Sequence, residues 1–138
     1  MPPSLDQDFV ESQAMYTTAE YYQSILDNLM GGFLSVSLEG LVVYINPTAG
    51  KILHLPAIGA LIGKDYAAAL GGFPALCGVV REALATHQTV HRAEVSVMHG
   101  DAPLVIGYST FQVKNRKGAY LGLGIIFQDL TFVQLKKP

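Results

Sequence analysis

The sequence predicts an α+β fold: five antiparallel strands in one sheet, with helices packed on one face and a flanking helix at the N-terminal side. Three observations lead there. Strand-like runs fall into two groups, residues 33–45 and residues 89–128, and helix-like segments fill the gap between them. Within each group the links are of hairpin length, which joins antiparallel neighbours rather than strands of a wound parallel sheet. The chain has 138 residues, a length suited to one domain with its own core, and its lone Cys77 cannot form an intrachain disulfide.

Composition narrows the function. Half of the residues are apolar and only 14% are charged, against a usual charged share of about 25%. That surplus predicts a self-associating surface, an internal pocket, or both. A net charge of −2 argues against nucleic-acid binding, which needs clustered Lys and Arg. Lys114, Arg116 and Lys117 surround Asn115 and precede Gly118, the pattern of a solvated hairpin turn. Neither a signal peptide nor an apolar run long enough to span a bilayer is visible, so a soluble, cytoplasmic domain without direct membrane contact is expected.

Residues 1–17 mix Pro, Asp, Gln and Ser with scattered apolar side chains and read as an N-terminal tail. Thr17-Thr18-Ala19-Glu20 forms a capping box, and the helix it opens should run to Met30, with Tyr22, Ile25, Leu26 and Leu29 on one stripe before Gly31-Gly32 stops it. Phe33–Leu38 alternates, Glu39-Gly40 turns, and Leu41–Ile45 returns as the second arm of a hairpin. Asn46-Pro47 then caps and opens a short helix to about Leu53. Between His54 and Gly72 the glycines and Pro56 allow only short turns, around Ile58–Ile62 and Tyr66–Leu70. Pro74–Thr86 is a longer helix whose Leu76, Val80, Ala83 and Leu84 face a sheet. Thr89–Met98, Leu104–Val113 and Ala119–Gln128 complete a meander. Gly122 and Gly124 share a face of the last strand, where a helix could approach or the sheet could bend.

The run Ile25-Leu26-Asp27-Asn28-Leu29 before Gly31-Gly32, Leu38-Glu39-Gly40 followed by Val43-Tyr44-Ile45-Asn46-Pro47-Thr48-Ala49-Gly50, Leu61-Ile62-Gly63-Lys64, and the closing Phe127-Gln128-Asp129-Leu130-Thr131 occur in an order and spacing that resembles a PAS domain. PAS domains are the sensory modules of histidine kinases and related regulators, and the resemblance covers residues 21–131. It implies a domain over residues 18–131, with 132–138 as the start of a C-terminal output linker in a larger regulator, a histidine kinase of a two-component system being the first expectation. It implies a homodimer through the N-terminal helix, with Tyr22, Ile25 and Leu29 at the contact. It also implies signal transfer to a C-terminal output domain through Asp129 and Thr131, two short polar side chains that could equally serve as a simple cap.

Periodicity suggests a pocket between helices and sheet lined by Leu53, Tyr66, Leu76, Val80 and Tyr108, open to a small apolar molecule or metabolite, with a fully packed core as the equal alternative. Haem is not expected: haem-binding relatives carry an axial His on the long helix, which here has none, leaving Cys77 and the helix-terminal His87 as the only candidates. Flavin is not expected either, since the reactive-Cys stretch of the photosensing relatives reads Lys64-Asp65-Tyr66-Ala67-Ala68-Ala69. His87 and His91 are separated by the start of a strand, so no metal site is expected. A small enzyme using Cys77 is the alternative reading, but no nucleophile motif, phosphate-cradling loop or dinucleotide fingerprint supports it, and no catalytic residue is assigned.

Overall fold

The structure is a computed structural model that describes residues 16–131. The expected output linker, 132–138, and all but the last two residues of the expected tail lie outside the described residues. In chain order the elements are α1 (Thr18–Asp27), β1 (Gly32–Ser37), β2 (Val42–Ile45), α2 (Pro47–Ile52), a single 3-10 turn (Ile58–Leu61), α3 (Tyr66–Ala69), α4 (Pro74–Thr86), β3 (Ala93–His99), β4 (Ala102–Lys114) and β5 (Tyr120–Asp129).

Local chemistry sets these boundaries. The Thr17 hydroxyl accepts from the Glu20 amide and the Glu20 carboxylate accepts from the Thr17 amide, so the capping box of α1 is complete. The helix ends at Asp27 rather than Met30 because the Asn28 side-chain amide donates to the Ser24 carbonyl at 2.7 Å, and a side chain that bonds the last turn in this way stops it. Asn46 caps α2 with Pro47 at its first position, as expected. β3 begins at Ala93, later than the expected Thr89. Val90 exchanges hydrogen bonds with Thr110 through its amide and carbonyl, and Arg92 turns through a positive φ of 51°, so residues 89–92 cross to the sheet instead of joining it.

The strands form one five-stranded sheet in the order β2-β1-β5-β4-β3, with every neighbouring pair antiparallel. The last strand of the chain is therefore the middle strand of the sheet. Leu34, Val36, Leu123, Ile125 and Phe127 of the two central strands point inward and are buried, and Ile106 extends that face onto β4. The helical insert covers them with Leu53, Leu70, Phe73, Leu76, Val80 and Ala83 in one core cluster. Gly124 admits the ring of Phe111, which lies across it from β4, and Gly122 lies against the Val36 carbonyl of β1. The space those glycines leave is thus used inside the sheet, with no helix against it.

Candidate functional site

The place where the chain leaves the sheet is tightly built. After β5 the Leu130 amide donates to the Val105 carbonyl at 2.7 Å, and the Val105 amide donates to the Thr131 hydroxyl at 2.9 Å. The Asp129 carboxylate in turn accepts from the Thr131 amide at 2.9 Å. Asp129 and Thr131 are thus brought together, and the cap that Asp129 supplies also fixes the hydroxyl that stitches the exit to β4. Leu130 lies over Gly107, where a Cβ would collide with its side chain. Leu130, Gly107, Ile126 and Gln128 form part of an outer-face cavity of about 390 Å³, which Tyr108 also reaches.

Of the other residues expected to line an internal pocket, Leu53, Leu76 and Val80 are fully buried in the core cluster, while Tyr66 and Tyr108 are half-buried against it. On α1, Tyr22 and Ile25 are 61% and 48% exposed, and no residue of the helix is buried. Leu29 lies past the helix end in the link to β1, where its carbonyl accepts from the Thr48 hydroxyl at 3.0 Å. It is half-buried and does not continue the helical stripe. A second apolar surface lies on the outer face of the sheet, where Phe33 stacks with Phe111 at 6.3 Å and meets Tyr44 at 6.4 Å, beside the exposed Ile126.

Cys77 is half-buried, and its thiol donates to the Leu70 carbonyl at 3.3 Å. Burial pushes the thiol above its ordinary pKa; the nearby Arg81 opposes this less strongly, so the group is a protonated thiol rather than a ready thiolate. His87 caps α4 in the left-handed region and stacks on Tyr120 at 4.3 Å, with the Lys114 ammonium 5.0 Å from the same ring. Among the described residues, no group of three or more His, Cys, Asp or Glu side chains could hold a metal ion.

Sequence reasoning assigned Asn46 only a cap. It is wholly buried and joins three segments. Its side-chain carbonyl accepts from the amides of Ala49 and Phe33 at 2.8 and 2.9 Å, while its side-chain amide donates to the carbonyls of Leu26 and Gly31 at 2.9 and 3.1 Å. The Asn-Pro pair signals the cap, but nothing local in the sequence signals the long-range bonds. His54 and His99 are both exposed and stack on each other at 4.2 Å, with Phe73 beyond, closing the end of α2 against the β3–β4 turn.

Residues 26–134 match a family model described as the PAS fold. No curated protein sequence matches the chain. Among solved structures, the VqmA dimer of Vibrio cholerae, described as a LuxR-type receptor, is similar with a TM-score of 0.65 and 21% identity over 86% of this chain. The match takes in 53% of the VqmA chain, so this chain spans about half the length of that protein. The PAS domain of BvgS from Bordetella pertussis has a TM-score of 0.65 and 20% identity, covering 87% of this chain and 92% of its own. A PAS domain from Colwellia psychrerythraea has a TM-score of 0.60 and 15% identity, over 83% and 98% of the two chains.

Proposed function

We propose, since the chain belongs to the PAS fold family, that it is the sensory and dimerising module of a larger regulator, with a histidine kinase as the parent. One observation carries this reading: the middle strand of the sheet is also the strand by which the chain leaves, and its last residues are bonded back to β4. A change anywhere in the sheet that alters β5 is transmitted to the segment after Thr131 without an intervening loop. Asp129 and Thr131 are the signal-transfer residues in this reading, and the output domain follows them. Signal output then depends on a difference in free energy between two arrangements of that exit, which a ligand or partner biases by binding one of them better.

Dimerisation belongs to the same proposal. Tyr22 and Ile25 expose apolar surface on α1, and Phe111 and Ile126 expose more on the outer face of the sheet, so a second copy offers each surface a complement. The VqmA relative is itself described as a dimer with a DNA target. For the present domain, with its net charge of −2, we assign protein contacts and no nucleic-acid contact. No helix among the described residues is long and apolar enough to cross a membrane, and a cytoplasmic location without direct membrane contact is part of the proposal. A small apolar molecule or metabolite held by Leu53, Tyr66, Leu76, Val80 and Tyr108 is the ligand class proposed for the interior, reached by opening the helical layer. Haem, flavin and a catalytic role for Cys77 are not part of it: the thiol is kept protonated by burial.

The test is the output of the parent regulator with Thr131→Val, which keeps the shape of the side chain and removes the acceptor of the Val105 amide. Output should change in its dependence on the signal while the domain stays folded. Unchanged signalling with a folded domain would overturn the role of the exit.

A further inference from the structure

The two edges of the sheet are finished differently. At β2 the edge is short and closed: the Val42 amide donates to the Lys64 carbonyl at 2.8 Å, the Gly63 amide donates to the Val42 carbonyl at 2.7 Å, and Leu41 bridges to Asp65. The pairing of β2 with β1 is also interrupted between Ser35 and Val36. At the opposite edge β3 runs for seven residues, and its pairing with β4 keeps one register from Ala93 to His99.

The direction of the β3 backbone groups follows from β4. The Val105 amide and carbonyl are both used on the side of the exit, by Thr131 and Leu130. Alternation then turns Leu104, Ile106 and Tyr108 toward β3, where they pair with Val97, Val95 and Ala93. Ser96 and Met98 therefore point their amides and carbonyls away from the sheet, and among the described residues nothing bonds to those groups. Both residues are exposed, Met98 at 52%. Open backbone groups along a regular strand are a template for another strand, and proteins ordinarily blunt such an edge with Pro, Lys or a bulge. β3 carries none of these, although the same fold covers its edge at β2.

We propose that β3 is a self-association surface of its own, on which β3 of a second copy pairs antiparallel about a two-fold axis at Ser96, joining two five-stranded sheets into one. The occupant is a second copy because the strand complements itself. An axis at Ser96 overlaps all seven residues, whereas any other axis leaves an end unpaired. The two Ser96 residues then exchange amide-to-carbonyl hydrogen bonds. On the inner face Val95 of each copy lies beside Val97 of the other, a β-branched pair, and on the outer face Glu94 lies beside Met98, so no like charges meet. This surface is separate from the α1 and sheet-face contacts proposed above, and neither requires the other.

The test combines sedimentation velocity with amide hydrogen exchange over a concentration series of the chain, with and without Tyr22→Ser and Ile25→Ser, which remove apolar surface from α1. The Ser96 and Met98 amides should exchange more slowly as concentration rises in both forms. Ser96→Pro removes a donor that β4 does not use and should weaken this association by roughly tenfold or more. Ser96→Asp and Ser96→Lys each set like charges opposite one another across the axis and should weaken it singly, while an equimolar mixture of the two should restore it. Exchange at Ser96 and Met98 that ignores concentration, protection that vanishes with the α1 substitutions, undiminished association of a folded Ser96→Pro chain, or a mixture no tighter than either charged variant would overturn the proposal. Should Ser96→Pro fail to fold, the two charged variants decide the matter by themselves.

Discussion

Two side chains show how single residues carry this fold. Asn46 satisfies two amides and two carbonyls from three segments, all with one wholly buried side chain. Removing it leaves those groups without their partner where water replaces it poorly, so Asn46→Ala should lower unfolding free energy by about 2–4 kcal/mol in urea titrations. Proteolysis should then cut first around Leu29, because two of the lost bonds hold the segment after α1. Cys77 makes the opposite point. Burial raises its pKa, so the folded chain keeps its proton at a pH where the unfolded chain has lost it. Its contribution to stability is thus fully present below the unfolded thiol range, near about 8.5, and is lost as pH rises through the higher folded value. Alkylation by iodoacetamide at neutral pH should accordingly be slower in the folded chain than in urea. Equal rates would show that the thiol is neither shielded nor held protonated.

At the scale of elements, β4 and β5 meet so closely on the outer face that a side chain of one fills the vacancy left by the other. Gly124→Ala would drive a methyl into the Phe111 ring and should cost about 1–3 kcal/mol. Adding Phe111→Ala removes the obstacle, so the double variant should be more stable than the sum of the two single losses predicts; strict additivity in a double-mutant cycle would deny the contact. This pair also marks where the sequence was legible and where it was not. The α1 capping box, the Asn46-Pro47 start, the α4 stripe of Leu76, Val80 and Ala83, and the hairpin turns were readable because each is a local pattern with a local cause. The five-stranded antiparallel sheet followed from those turns. The fit of Phe111 over Gly124 and of Leu130 over Gly107 is not local, since it depends on strand register, and register emerges only when the sheet is assembled. A capping role for Asp129 was legible from its type and position, but that it caps the Thr131 amide was not, and the bond from Val105 to Thr131 joins residues far apart in sequence. The helix end at Asp27 was missed because Asn28 competes for a carbonyl through its side chain, which periodicity does not register.

At the scale of the molecule, the strand order makes the fold depend on its last element. β1 and β2 form one hairpin, β3 and β4 another, and in the sheet only β5 joins them, pairing with β1 on one side and β4 on the other. The two halves of the sheet therefore acquire a common core only when the C-terminal strand is in place, and a strand that closes long-range pairings last should make unfolding a single cooperative event. Ile125 sits on the buried face of that strand, opposite Leu34 of β1 and Thr110 of β4. Ile125→Ala removes apolar bulk where both halves meet and should destabilise the domain by about 2–5 kcal/mol. Because the loss falls on the joining strand, hydrogen exchange should accelerate together at the amides of Leu34 on one side and Thr110 on the other, with fluorescence and circular dichroism following one urea transition. Acceleration on one side alone, or two separated transitions, would show that the halves hold their structure independently. In that event β5 could not convey to the exit a change arising in either half, and the proposed route from sheet to exit would have to run through the helical layer instead.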